Sequence, residues 1–258
     1  MVTLTKKVSL ALGSGSAKGW AHIGIIKALK ELGYKIEAVS GTSAGAIIAA
    51  YEAFGILDEF EEFVLNLDKR RVLRYYDVNL LPVKGLISGN RLLDLFAENL
   101  KNKKIEDAAV PLYICASSLE SGKCVTFEKG SVIEGVRASI SIPGLFTPAE
   151  IKGMYFVDGG ITNPVPVDIL SHKGHKKIIA VDLNSPLQVP FFEGSPNVMS
   201  TINRSITIMS HHLTSYQLRN SNTWKILKPD LREFGLFEFY RGKELIEAGY
   251  EYTIKCFS

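Results

Sequence analysis

Gly41-Thr42-Ser43-Ala44-Gly45 is the stretch of sequence that decides the fold. It lies between an apolar run that ends in Ala38-Val39 and a run of small and apolar residues, 46–50, that reads as the start of a buried helix. A Gly-x-Ser-x-Gly pentapeptide between a strand and a helix is typical of a nucleophile elbow, a sharp turn that holds the serine hydroxyl above the sheet. Gly41 and Gly45 suit this turn because strand and helix nearly touch there. A plain glycine-rich turn is the alternative, and the rest of the chain decides between them.

Strand-like and helical patterns alternate on either side of this turn. Strands are predicted at residues 8–12, 34–39, 111–117, 123–127, 154–157, 177–183 and 224–227. We therefore expect one α/β domain over residues 1–258, with a mostly parallel sheet sandwiched between helices. An antiparallel hairpin at 111–127 is expected as an addition to that sheet. Asp58 is expected to cap a helix that runs to Leu67.

Composition excludes several classes of protein. The net charge of +3, without a basic stripe interleaved with aromatics, argues against a nucleic-acid partner. Cys115, Cys124 and Cys256 have no metal-ligand spacing, which favours reduced thiols in the cytosol.

The apolar run 8–12 is too short for a signal-peptide core of about 7–15 residues followed by a cleavage site. No stretch approaches the ~20 apolar residues of a spanning helix. We expect a cytoplasmic protein whose membrane contact, if any, is peripheral, and the oligomeric state stays open.

Three unusual loops each follow directly on a predicted strand. They are Gly13 to Gly19, Gly41 to Gly45 and Asp158 to Gly160. In open α/β sheets, reactive groups collect outside the carboxyl ends of the strands. The sequence therefore predicts that the three loops lie together at one edge of the sheet.

A serine nucleophile at position 43 requires a base within hydrogen-bond reach. His22 is the nearest histidine in the predicted fold, but it lies in the first turns of a helix, where packing is its more usual role. The remaining histidines are expected at the opposite edge of the sheet or within a helix: His172, His175, His211 and His212. Asp158 ends a strand at the expected edge, and Gly159 and Gly160 let other backbone approach it closely. We therefore assign Asp158 as the general base in preference to a turn-forming aspartate.

A carboxylate is a weak base for a hydroxyl, with an ordinary pKa of about 3.9. The site must therefore stabilise the oxyanion strongly. The glycine loop can supply backbone N–H donors, and we assign Gly15 and Ser16, together with Gly13, to this oxyanion hole. Lys18 either adds positive charge nearby or extends to the surface. The rival reading of this loop, a nucleotide site, is disfavoured because the dinucleotide fingerprint needs glycine where Lys18 stands and the phosphate loop needs Gly-Lys-Ser/Thr.

Several blocks of the sequence together resemble the patatin-like phospholipases, particularly the compact bacterial ones. These blocks are residues 10–24, 41–45, 138–146, 158–160 and 239–249. The resemblance implies a Ser–Asp dyad at Ser43 and Asp158, an oxyanion hole in the glycine loop and hydrolysis of lipid acyl esters. We expect neither metal nor cofactor, since no cluster of metal ligands accompanies the serine. The chain departs from the family pattern at three positions, which do not touch the dyad: Ser14, Ser16 and Lys18.

The hypothesis from sequence is therefore a lipid acyl hydrolase that works through an acyl-enzyme. Phe146, Phe191, Phe192 and the helix 198–218 are candidates for an acyl channel or lid, with core packing as the favoured alternative for each. A non-catalytic lipid- or acyl-binding regulatory protein on the same fold is the alternative function. Head group, acyl length, regiochemistry and the balance between hydrolysis and transacylation stay open.

Overall fold

A computed structural model describes residues 6–75, 93, 96–187, 195 and 197–258 of the protein. The strands are β1 Lys6–Leu12, β2 Tyr34–Thr42, β3 Leu112–Ser118, β4 Cys124–Phe127, β5 Ala149–Ile151, β6 Met154–Asp158, β7 Ile178–Val181 and β8 Lys225–Leu227. The α-helices in these residues are α1 Ala21–Glu31, α2 Ala44–Ala53, α3 Leu57–Leu65, α4 Lys69–Tyr75, α5 Val132–Ser139, α6 Val167–His172, α7 Val198–Arg219 and α8 Gly242–Phe257.

The strands form one sheet in the order β5-β6-β3-β2-β1-β7-β8, with β4 pairing against β3. From β3 to β8 along this order every pair is parallel. The predicted α/β fold with a mostly parallel sheet is confirmed, and so is the antiparallel β3–β4 hairpin. The antiparallel part is larger than expected, because β6 and β5 also run antiparallel to their neighbours.

Buried side chains cover both faces of the sheet. On one face, α1, α2, α3 and α8 enclose the larger core, in which Trp20 makes edge and tilted contacts with Phe60, Phe96 and Phe239. On the other face, α6 and Leu218 of α7 pack against a smaller cluster. The sheet is therefore a middle layer, as the apolar character of β1 and β2 predicts.

Two local expectations differ from the structure. Ile56 occupies the N-cap position of α3, and Asp58 lies inside its first turn without capping it. Helix α3 ends at Leu65, two residues earlier than expected. The apolar pattern of residues 90–100 also predicts a helix, of which the structure describes residues 93 and 96–100; Glu98–Leu100 form a 3₁₀ turn. Gly33 and Gly55 end α1 and α2 with φ of +79° and +68°.

The cysteine expectation is wrong for two of the three residues. Cys115 on β3 and Cys124 on β4 are joined as a disulfide, with Cα atoms 6.3 Å apart, whereas Cys256 is free. The pairing depends on the register of the hairpin, in which Ser117 lies opposite Cys124 and Cys115 opposite Thr126. Spacing alone does not reveal that register, so the argument from cysteines to a reducing compartment loses its basis.

Candidate active site

The turn at Ser43 has the strained geometry of a nucleophile elbow. Ser43 has φ of 56° and ψ of −124°, a left-handed φ that is rare for a residue with a side chain. A Cβ on Gly41 would lie 2.4 Å from the Gly45 carbonyl oxygen, and one on Gly45 would lie 2.2 Å from the Leu12 oxygen. The turn therefore requires glycine on both sides of the serine. Helix α2 begins at Ala44, so Ser43 stands at its N-terminus.

Ser43 and Asp158 are in direct contact although 115 positions separate them. The Ser43 hydroxyl donates to Asp158 Oδ2 at 2.5 Å. The Gly160 N–H donates to the other carboxylate oxygen, Oδ1, at 2.7 Å, which holds the carboxylate in place. Both side chains are buried, with 4% of Ser43 and 7% of Asp158 exposed. The structure thus brings together the two residues that the sequence pairs as nucleophile and base.

The topology that joins them differs from the one expected. Asp158 ends a strand that runs antiparallel to β3, so the rule about the carboxyl ends of parallel strands does not apply to it. β4 pairs with residues 114–117 of β3, and this overlaps the stretches paired with β2 and with β6. β2 and β6 must therefore share the other edge of β3. They run along it toward each other, and Ser43 and Asp158 lie where the two strands meet.

Ser139 at the end of α5 is a site residue that the sequence analysis did not assign. Its hydroxyl accepts from the Ser43 N–H at 2.7 Å and donates to the Cys115 carbonyl oxygen at 2.7 Å. It is fully buried, so it links the strained backbone of the elbow to β3 without solvent. Two residues on, the Ser141 carbonyl accepts from the Asp158 N–H at 2.9 Å. One short segment thus holds the backbone of both members of the Ser–Asp pair.

Arg137 in turn holds this segment. Its guanidinium donates to the Ser141 hydroxyl at 2.5 Å and to the Thr147 carbonyl at 2.9 Å. Burial lowers the pKa of Arg137. In the sequence, residues 138–146 show a family resemblance but no motif that marks Ser139 as the partner of a backbone N–H.

Burial sets the electrostatics of the Asp158 carboxyl group. Removal from water raises its pKa from 3.8 to about 6, while the hydrogen bonds from Ser43 and Gly160 favour the charged form and limit the rise. A pKa near 6 leaves the carboxylate mostly ionised at neutral pH and makes it a better proton acceptor than an exposed aspartate.

Within the described residues, His22 makes no hydrogen bond to Ser43. Its Nε2 pairs with the Gly13 carbonyl oxygen at 2.8 Å, and burial lowers its pKa to about 4. The ring is therefore neutral at ordinary pH. We infer that Nε2 carries the proton and donates to Gly13, which makes His22 a support for the glycine loop.

The glycine loop contradicts one of the predicted oxyanion donors. The Gly13 N–H donates to the Val181 carbonyl at 3.0 Å, because it continues the hydrogen-bond ladder between β1 and β7 by one residue. It is therefore committed to the sheet. Within the described residues, the N–H groups of Gly15 and Ser16 donate to no backbone carbonyl, and Ser16 has φ of 52°. These two amides remain candidates for the oxyanion hole.

Lys18 does not extend to the surface. Its side chain is buried, with 3% exposed, and burial lowers its pKa while Asp230 opposes that shift.

Gly159 and Gly160 provide close packing around the Asp158 carboxylate. A Cβ on Gly159 would lie 2.3 Å from the Cys115 carbonyl oxygen, and one on Gly160 would lie 3.0 Å from Asp158 Oδ1.

An apolar pocket adjoins the serine. It is small and opens to solvent, with a cavity volume of about 30 Å³. Ser43, Ala44 and Ser16 belong to its wall, and the remaining wall is apolar: Trp20, Ile47, Phe96, Ile140, Ile142, Leu145, Phe146, Phe237 and Phe239. A hydrocarbon chain fits this chemistry, since the wall beyond the two serines offers it only apolar contact.

The expected acyl-channel residues separate into three groups. Phe146 lies in the wall of this pocket. Phe191 and Phe192 lie outside the described residues. Helix α7 is not among the elements that line the pocket; it packs beside the dyad instead, where the Ser210 hydroxyl donates to the Gly160 carbonyl at 2.9 Å.

The described parts of the chain contain no group of three or more His, Cys, Asp or Glu residues that could hold a metal ion. In the same parts, no helix combines the length and apolarity needed to cross a bilayer.

Fold and site together define an α/β protein with a nucleophile elbow and a Ser–Asp pair. The family model described as patatin-like phospholipase matches residues 10–171. The chain belongs to this family, which confirms the resemblance seen in the sequence. Family membership supports lipid acyl hydrolase activity in general terms.

Named relatives are longer proteins. An uncharacterised NTE family protein of Mycobacterium tuberculosis is 37% identical over 201 residues, which cover 78% of this chain and 56% of the relative. Human patatin-like phospholipase domain-containing protein 6 is 24% identical over 279 residues, covering 95% of this chain and 20% of that protein. VipD from Legionella pneumophila has a similar fold, with a TM-score of 0.51 at 15% identity, covering 97% of this chain and 66% of that one. The chain spans about half the length of the bacterial relatives it matches.

Proposed function

We propose that the protein is a serine lipid acyl hydrolase in which Ser43 is the nucleophile and Asp158 the general base. The hydrogen bond of 2.5 Å between the Ser43 hydroxyl and Asp158 Oδ2 carries this proposal, because it joins a hydroxyl on an elbow to a buried carboxylate. A contact of this length is within the range in which a proton passes directly between two oxygens. Ser43 also lies in the wall of the apolar pocket, where an acyl ester would bind.

The reaction begins when Ser43 Oγ attacks the ester carbonyl carbon. Asp158 takes the hydroxyl proton, and the carbonyl oxygen gains the negative charge. When the tetrahedral intermediate collapses, Asp158 returns the proton to the leaving alcohol and the acyl group stays on Ser43. Asp158 then takes a proton from water, whose oxygen attacks the acyl carbon. When this second intermediate collapses, the bond between Ser43 Oγ and the acyl group breaks, Asp158 returns the proton to Ser43 Oγ, and the free fatty acid leaves.

The oxyanion is proposed to bind the N–H groups of Gly15 and Ser16. Both belong to a loop that lies against the pocket through Ser16. The N-terminus of α2 adds a positive partial charge beside Ser43, because the first N–H groups of a helix lack partners within it. Losing one such donor costs about 2.7–4 kcal/mol in other enzymes.

The apolar pocket is proposed to hold the acyl chain of the substrate. This favours fatty-acyl esters over esters of polar acids, since each methylene buried against the apolar wall adds about 0.8 kcal/mol to binding. Phospholipids, lysophospholipids and simple carboxylic esters all present this group.

Turnover of a fatty-acyl ester by wild type and variants tests the proposal. Ser43→Ala should abolish hydrolysis, whereas Ser171→Ala, which removes an exposed hydroxyl on α6, should leave it unchanged. Undiminished turnover in Ser43→Ala would refute the proposal. Chelation of divalent ions should leave the wild-type rate unchanged, because this mechanism uses only side chains and backbone amides.

A lipid- or acyl-binding protein without catalysis remains the second candidate, because the same pocket would bind an acyl chain whether or not the dyad reacts. Saturable binding of fatty acid with no turnover of any ester would favour it.

A further inference from the structure

Helix α7 carries a line of apolar side chains that face solvent. Val198, Ile202, Met209 and Tyr216 are 77%, 43%, 69% and 65% exposed. At 100° per residue they fall within roughly 40° of one another around the helix. We call these four residues the α7 stripe. Scattered apolar residues are ordinary on a protein surface, but a narrow stripe along some five turns of one helix is not.

The opposite side of α7 is fastened to the protein. Thr214 and Leu218 are buried there, and the Ser210 hydroxyl and Gln217 amide donate to the carbonyls of Gly160 and Thr162. The α7 stripe therefore points away from a well-anchored face. Gly160 is the residue whose N–H holds the Asp158 carboxylate, so the helix is attached directly beside the dyad.

The charge around the α7 stripe has one sign. Residues 194–229 contain no aspartate or glutamate, whereas Arg204 and Arg219 both lie on α7. Asn197 caps the start of the helix with its side-chain oxygen, so no acidic cap is present either. Of the two arginines, the exposed Arg219 lies about 80° from the centre of the stripe around the helix, whereas Arg204 lies on the far side. An apolar stripe with an arginine beside it, on a helix without acidic residues, is complementary to a membrane surface of negative charge.

We propose that the α7 stripe is the surface by which the protein docks onto anionic lipid membranes. The helix would lie in the plane of the interface with Ile202 and Met209 inserted among the acyl chains and Tyr216 at the level of the headgroups. This inference deepens the proposed acyl hydrolase function, since docking there brings the Ser43–Asp158 pair close to its lipid substrate.

A second copy of the chain fits the same face less well. Paired helices bury a continuous seam at alternating spacings of four and three residues. Along the α7 stripe that seam would include Ser205 and His212, both exposed and polar, between the apolar positions. The headgroup region of a bilayer accommodates such residues, whereas a helix–helix seam would bury them.

Co-sedimentation with vesicles tests the docking surface without relying on catalysis. Vesicles of equal parts phosphatidylglycerol and phosphatidylcholine should bind the wild-type chain, and vesicles of phosphatidylcholine alone should bind it more weakly. The double variant Ile202→Glu with Met209→Glu should weaken binding to the anionic vesicles at least tenfold, on the order expected when two apolar insertions become charged.

The matched control carries Leu65→Glu with Leu119→Glu, which changes two exposed leucines on other surfaces by the same charge. It should bind vesicles like the wild type. Both double variants should keep the wild-type rate on a water-soluble ester, which shows that they fold.

Three results would overturn the docking proposal: no binding of wild type to either vesicle, equal loss in the control, or full binding by the α7 variant. A dimer in light scattering that only the α7 variant loses, without a change in vesicle binding, would instead assign the face to self-association. Failure of the acyl hydrolase proposal would look different, since vesicle binding would persist in a protein that hydrolyses no ester.

Discussion

Replacing Asp158 with asparagine should stabilise the fold while it disables the reaction. The carboxyl group has an ordinary pKa of 3.8 and a folded-state pKa of about 6, raised by burial. A group whose pKa rises on folding contributes stability below its unfolded pKa, and that contribution is lost as the pH rises through the folded one. The difference between 3.8 and about 6 corresponds to about 3 kcal/mol, at 1.36 kcal/mol per pH unit. That is the cost of holding the ionised carboxylate in the fold at neutral pH and above.

Asparagine has the same shape and no charge to bury. Its oxygen can accept from the Gly160 N–H and its amide can face Ser43, so the packing of the site is kept. The unfolding free energy of the variant minus that of the wild type should therefore increase by about 2–3 kcal/mol as the pH rises from about 4 to about 8. Its turnover should fall by about 10²–10⁴-fold, the usual contribution of a general base.

Urea unfolding of both proteins across this pH range measures the stability difference, and initial rates on one ester measure the loss of catalysis. Ser171→Ala serves as the control for both measurements, because it changes an exposed side chain. A stability difference that does not vary with pH, or a variant less stable than wild type at about pH 8, would refute the reasoning from burial.

Three further predictions follow from the site. The wild-type kcat/KM should fall as the pH drops below about 6, because the base must be ionised, and a rate profile against pH that is flat through this range would contradict the assignment of Asp158. Ser139→Ala should lower kcat with little change in KM and cost about 2–4 kcal/mol of stability, because the Ser43 N–H and the Cys115 carbonyl lose their partner in a buried site. Steady-state kinetics and urea unfolding measure these changes. Wild-type kinetics in the variant would show that Ser139 does not position Ser43. Ile140→Trp should fill part of the apolar pocket and shift the preference toward shorter acyl chains, measured as kcat/KM along a series of esters; an unchanged preference would place the acyl chain elsewhere.

The elbow could be predicted from sequence because its tight turn requires a specific pattern, glycines on both sides of a serine, that most turns do not require. Gly41 and Gly45 are required where backbone meets backbone, and a serine between them has the φ that the turn imposes. The meeting of Ser43 with Asp158 was also predicted, but for the wrong reason. β6 runs antiparallel to β3 whereas β2, on the same edge, runs parallel to it, and no pattern within residues 154–158 expresses that direction.

Other features depend on contacts that a single sequence does not display. The Gly13 amide is taken up by β7, a strand about 170 residues away in the chain, so its loss as an oxyanion donor requires the sheet order. Ser139 is one of many serines in the chain, and its part in holding the elbow appears only once α5 is packed against β3. The disulfide between Cys115 and Cys124 likewise follows from hairpin register rather than from cysteine spacing.

The most direct test of the central claim is covalent labelling with a fluorophosphonate followed by mapping of the modified peptide. If Ser43 is a nucleophile activated by Asp158, the label should attach to Ser43, be absent in Ser43→Ala and form much more slowly in Asp158→Asn. Labelling of a different residue, or equal labelling rates in wild type and Asp158→Asn, would contradict a reaction that depends on this pair.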